Sequence, residues 1–113
     1  MKKTLLSGIA ALLLATGAAH AAWKLPMDTQ AKVLPPKEFD HPFDGRTELS
    51  RVTQAEINRI CPNPGQRKYA CGGLRPDGIC VVWIVDDDGL DLSGYDYDVI
   101  LRHEIGHCNN WHH

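Results

Sequence analysis

An apolar leader followed by a short stretch holding four cysteines confines this sequence to one small, cross-linked domain. Lys2 and Lys3 form a positive n-region, Leu5 to Thr16 a short apolar h-region, and Ala19-His20-Ala21 a small-x-small cleavage site. Residues 1–21 therefore read as a signal peptide, and the chain is expected to be exported, either periplasmic or secreted. The apolar run is too short for a transmembrane span, so no stable membrane insertion is expected after cleavage. Residues 22–113 suffice for a single domain whose core is marginal without a staple or a metal.

Cys61, Cys71, Cys80 and Cys108 all follow the leader. An even count in an exported chain points to disulfides, and the absence of a CxxC pair argues against a cysteine-type zinc finger. Of the three connectivities open to four cysteines, the preferred one is Cys71–Cys80 across a hairpin with Cys61–Cys108 between two helices. Setting aside Lys2 and Lys3 leaves ten basic residues against fourteen acidic ones, a formal charge of −4. Nucleic acid and anionic membranes call for a basic patch and are not expected as partners.

Residues 22–45 carry Pro26, Pro35, Pro36 and Pro42 and show no period, so they read as an extended proline-rich arm. Within it, His41 reads as incidental. Thr47 to Val52 is expected as a short strand. Thr53-Gln54-Ala55-Glu56 is a capping box, with Val52 and Ile57 as its hydrophobic staple, so a short helix should run to Cys61 before Pro62. Tyr69 to Leu74 and Ile79 to Val85 flank the turn Arg75-Pro76-Asp77-Gly78 and read as a hairpin. The second of these strands is apolar on both faces and should be central and covered. Gly72 and Gly73 suggest a bulge in its partner. Asp86 to Asp98 holds six aspartates, does not fit the spacing of an EF-hand, and reads as a solvated loop. The last element is a helix from about Asp96 to Asn109. Together these define an α+β domain over residues 46–113, with helices packed on a short mixed sheet.

The C-terminal helix carries the chemistry. Its His103-Glu104-Ile105-Gly106-His107 segment is an HExxH motif. At about 100° per residue, His103 and His107 lie about 40° apart and one turn along, so both imidazoles reach one metal ion. Glu104 falls beside that ion, where a carboxylate can take a proton from water activated by the metal. Leu101, Ile105 and Cys108 form an inward face, and Asp98, Arg102 and Asn109 a polar stripe expected to face water. Zinc requires further ligands, and Asp91, Asp96, His112 and His113 are all available.

Read on to the C-terminus, His103, Glu104, His107 and His113 match the HExxHxxGxxH pattern, and the chain here resembles the metzincin metallopeptidases. Asn110 stands in place of the family's glycine, a mild departure, since asparagine is the next most tolerant residue of a left-handed conformation. The family's Met-turn has no counterpart in the sequence. The resemblance implies a zincin-like fold over residues 46–113 and Zn2+ held by His103, His107 and His113. It also implies peptide-bond hydrolysis, with Glu104 as the catalytic base; the substrate expected is a peptide or protein laid as an extra strand along an exposed sheet edge. Tyr95 and Tyr97 read as core tyrosines rather than oxyanion donors. A zinc-binding envelope protein without catalysis, and a stapled interaction module with a vestigial motif, are the competing readings.

Overall fold

The computed structural model describes residues 23–113, and the expected signal peptide lies outside the described residues. The domain is α+β. A three-stranded mixed sheet is formed by β1 (Thr47–Val52), β2 (Ala70–Leu74) and β3 (Cys80–Val85), in the order β1-β3-β2. Among the described residues four α-helices accompany it: α1 (Met27–Ala31), α2 (Gln54–Ile60), α3 (Asp87–Ser93) and α4 (Tyr97–Cys108). The central strand is the one expected. β1 runs parallel to β3, with Thr47 opposite Cys80 and Val52 opposite Val85. β2 runs antiparallel to β3, with Ala70 opposite Ile84 and Leu74 opposite Cys80. Cys80, Val82, Ile84 and Val85 are wholly buried and form the core with Ile57, Leu90, Ile100 and Cys108. α4 lies across β2 and β3, and α2 and α3 pack against β3.

The local signals explain most element boundaries. Thr53 Oγ1 accepts from the Glu56 amide at 3.2 Å and opens α2. The reciprocal half of the capping box is not made, because the Glu56 carboxylate turns to Arg59 at 2.7 Å. No bulge occurs at Gly72 and Gly73, which pair in regular register with Val82 and Val81. Gly72 serves close approach instead: a Cβ there would lie 2.8 Å from the Val81 carbonyl oxygen.

Beyond the missing bulge, three expectations are corrected. The aspartate-rich segment is not a solvated loop but contains α3. Asp86 caps that helix by accepting from the Gly89 amide at 3.0 Å, and Asp87 and Asp88 sit in its first turn, where the helix dipole favours acids. Gly94 ends it at φ 77°, and the helix buries its own Leu90 in the core. The arm, too, is more than extended chain. It holds α1 and a 3-10 turn at Lys37–Phe39, and Gln30 is 1% exposed. Gln30 Nε2 donates to the Leu25 carbonyl at 3.0 Å, while its Oε1 accepts from the Asp96 amide at 2.9 Å at the start of α4. Proline frequency concealed this docking, because at this end of the arm one buried amide and a backbone carbonyl carry it.

The third correction concerns the cysteines, which pair Cys61–Cys71 and Cys80–Cys108. Register is the reason. Cys80 stands opposite Leu74, three residues along β2 from Cys71, an offset of about 10 Å and well beyond disulfide reach. Cys71 instead meets the end of α2 with a Cα–Cα distance of 6.4 Å, and Cys80 meets the end of α4 at 5.6 Å. Two disulfides suit an oxidising, extracytoplasmic setting. Among the described residues no helix is long and apolar enough to cross a membrane.

Candidate metal centre

His103 and His107 project from successive turns of α4 with ring centroids 5.0 Å apart. The chain then reverses to bring in a third imidazole. Asn109 is the C-cap of α4, and Asn110 follows at φ 75°, alone among described non-glycine residues in having a positive φ. The Asn110 amide donates to the His107 carbonyl at 3.2 Å, and the Trp111 amide donates to the Gly106 carbonyl at 3.0 Å. These are the two bonds of a Schellman ending. The turn sets His113 with its ring centroid 4.8 Å from that of His107 and 5.2 Å from that of His103. The prospective ligand atoms of His103, His107 and His113 all lie within 4.8 Å of one another. These three residues could hold a metal ion.

The remaining ring nitrogens support that arrangement. His103 Nδ1 is hydrogen-bonded to the Val33 carbonyl, and His107 Nδ1 to the Trp111 carbonyl at 2.8 Å. A carbonyl accepts only, so each Nδ1 carries the proton and each Nε2 keeps its lone pair for a cation. The Trp111 ring stacks on His107 at 5.1 Å with planes 8° apart. Burial pushes the pKa of His103 down, against the opposing effect of its bond to Val33, which favours the neutral imidazole that metals bind.

Glu104 is 6% exposed, and its Oε2 lies 4.0 Å from His103 Nε2. Burial raises its pKa to about 7, with the Lys68 charge acting in the opposite direction. Glu104 and the three histidines line an open cleft of about 420 Å³, which continues over Ala70 and Gly72 of β2.

The other residues singled out from sequence lie elsewhere. His112 and Asp91 are exposed and outside the cluster; Asp96, half-buried and 3.4 Å from Lys24, is outside it too. Tyr97 lies beneath the Arg51 guanidinium, 4.7 Å from its ring centroid. Tyr95 borders a cavity shared with His103 and Glu104. His41 lines a separate apolar cavity with Phe43, Leu101 and Ile105, not the histidine cleft.

Of the polar stripe of α4, Asp98 faces water as expected, whereas Arg102 and Asn109 reach the arm. Arg102 grips the Asp40 carboxylate, with Nε donating at 3.0 Å, and holds its pKa down. Asn109 Nδ2 donates to the carbonyls of Phe39 and His41 at 3.1 and 2.7 Å. Pro35 crosses directly over Gly106, where a Cβ would fall 2.6 Å from Pro35 Cγ and 3.0 Å from the Trp111 ring. The supporting roles of Val33, Pro35 and Trp111 were not anticipated. One signal could have pointed to them: a glycine inside a helix costs about 1 kcal/mol relative to alanine, and here it marks a close approach.

Comparison with known proteins finds no matching family model and no matching curated protein or solved structure.

Proposed function

We propose that this chain is an exported zinc-dependent metallopeptidase, with Zn2+ held by His103, His107 and His113. The carrying observation is the convergence of three imidazoles within 4.8 Å beside a buried carboxylate, 4.0 Å from His103 Nε2, that no lysine or arginine among the described residues reaches within ion-pair distance. The donor set is nitrogen only, which suits zinc, and three protein ligands leave room for water or substrate, as in catalytic rather than closed structural sites. The HExxHxxNxxH sequence, with its resemblance to metzincins, supports the same reading.

Zinc bound there would supply Lewis acidity, lowering the pKa of water and polarising a substrate carbonyl. Glu104 accepts the proton of the attacking water and returns it to the departing amine. A dication nearby favours ionised Glu104, the form needed to accept a proton. The fixed tautomers of His103 and His107 keep both Nε2 atoms aimed at one point throughout. β2 forms the sheet edge beside the cleft, where a peptide can add as a further strand.

The test combines metal analysis with cleavage of a diverse peptide mixture, using the correctly oxidised protein. One zinc per chain is expected, lost in His107→Ala. Glu104→Gln should retain zinc and lose hydrolysis. Protein that takes up no zinc when supplied with it sinks the proposal, and zinc uptake without cleavage reduces it to a non-catalytic metal protein.

A further inference from the structure

The loop between α2 and β2, residues 61–69, forms the far wall of the histidine cleft. Lys68 lines the part of the cleft that holds His103, Glu104 and His113, and also the adjoining hollow that holds His107, Asn110 and His112. Arg67, its neighbour, borders the third hollow, beside His103 and Glu104 on the Tyr95 side. Two consecutive cations thus flank the centre in a chain whose acids outnumber its bases.

This wall is held in place. The Cys61–Cys71 disulfide closes the segment at its two ends. Gln54 Nε2 on α2 donates to the Lys68 carbonyl at 2.6 Å, fixing the backbone at that residue. The Lys68 side chain is exposed, and among the described residues no carboxylate lies within ion-pair distance of it. Arg75 and Arg51 pair with Glu48 and Asp87, whereas exposed Lys32, Lys37 and Arg67 share with Lys68 the absence of such a partner among the described residues; of these four, Lys68 alone lines the cleft that holds all three histidines.

We infer that Lys68 is a specificity-determining residue, which receives a carboxylate of the ligand seated at the histidine centre. The ligand class is accordingly an acidic peptide, bearing the carboxylate at its C-terminus or on an Asp or Glu side chain. This inference rests on the metal-centre reading above. A ligand anchored at the centre has already lost most of its freedom, so a cation at the rim gains a contact at little further entropic cost.

The experiment uses the full oxidised chain loaded with Co2+, whose visible absorption reports both uptake and ligand binding. The probes are succinic acid monohydroxamate and its carboxamide counterpart, which share a metal-binding end and differ only in the distal charge. The parent should bind the carboxylate form about two- to fivefold more tightly, the range of an exposed ion pair. Lys68→Met should bring the ratio near one, and Lys68→Arg should preserve it. A ratio unchanged in Lys68→Met overturns the assignment while leaving the centre intact, whereas failure to take up Co2+ overturns the centre and this inference with it. Acetylated tetrapeptides competing with the hydroxamate identify the carboxylate. A Lys68-dependent preference for a free over an amidated C-terminus assigns the terminal group, and one for Glu over Gln assigns a side chain. Absence of both overturns the inference.

Discussion

Burying Glu104 should make the metal-free protein lose stability as pH rises, and Glu104→Gln should remove that loss. The carboxyl is 6% exposed and its pKa is raised from 4.5 to about 7 by burial. Such a difference corresponds to about 3 kcal/mol, at about 1.4 kcal/mol per pH unit. Below pH 4.5 the group is protonated in both folded and unfolded chains and contributes nothing to the difference. Between pH 4.5 and about 7 the unfolded chain releases the proton while the folded protein keeps it, so stability falls steadily. Above about 7 the full penalty applies. His103 acts in the other direction, since its lowered pKa lets stability rise as pH approaches its ordinary value of 6.5. Both proteins share that contribution, and it cancels in their difference. Urea unfolding of chelator-treated parent and Glu104→Gln, at pH 4 and pH 8.5 with disulfides intact, gives the comparison. The variant should gain about 3 kcal/mol on the parent between the two pH values, an amount within reach of a linear extrapolation. Two stability curves that stay parallel across this range would refute the claim that Glu104 is held in a poorly solvated site. Saturating Zn2+ should shrink the gap, because a neighbouring dication favours the ionised carboxylate.

Other perturbations separate the supports of the centre. Gly106→Ala forces Pro35 and Trp111 away from α4. Overpacking costs about 1–3 kcal/mol against a helix-propensity gain of about 1 kcal/mol, so a net loss in urea unfolding is expected, together with weaker zinc binding. Asn110→Gly should be neutral or slightly stabilising at φ 75°, whereas Asn110→Val should cost about 1–2 kcal/mol and loosen zinc, as read by thermal melting with and without metal. Replacing Cys80 and Cys108 by alanine opens a loop with a sequence separation of 28; the expected cost is about 3–4 kcal/mol in urea unfolding. Because Cys108 adjoins His107, that pair should also weaken zinc binding more than replacement of Cys61 and Cys71, and equal effects on zinc titration would contradict this.

Local chemistry made much of the fold legible. Thr53 marked the start of α2, the Pro76-Asp77-Gly78 turn marked the hairpin, and an unbroken apolar run marked β3 as central, since each signal acts within a few residues. The spacing of His103, His107 and His113 together with the conformational tolerance of Asn110 anticipated how the three rings converge. What stayed hidden depends on distant pairing. The disulfide partners follow from strand register, which sets Cys71 opposite Trp83 and away from Cys80. The arm's docking follows from carbonyls such as that of Val33, and a carbonyl leaves no mark on residue type. α3 was obscured because aspartate and glycine favour turns and helix ends alike.

His113 lies beyond the end of α4, outside the helix's own hydrogen bonds, and the structure holds this segment with backbone rather than side-chain bonds. The Schellman pair fixes Asn110 and Trp111, the Trp111 carbonyl orients His107, and the Trp111 ring packs on the histidine it orients. Pro35 rests over Gly106 close to the same indole, while Val33, two residues earlier, orients His103. The arm and the C-terminal turn therefore meet at one point on α4 and fix separate ligands from there. Neither can shift without moving an imidazole. Zinc binding should accordingly protect both segments together: the amides of Trp111 and of Val33 and Leu34 should gain hydrogen-exchange protection in step as zinc is added. Protection confined to the C-terminal turn would show that the arm is a passive cover, and would transfer the ordering of His103 to α4 alone.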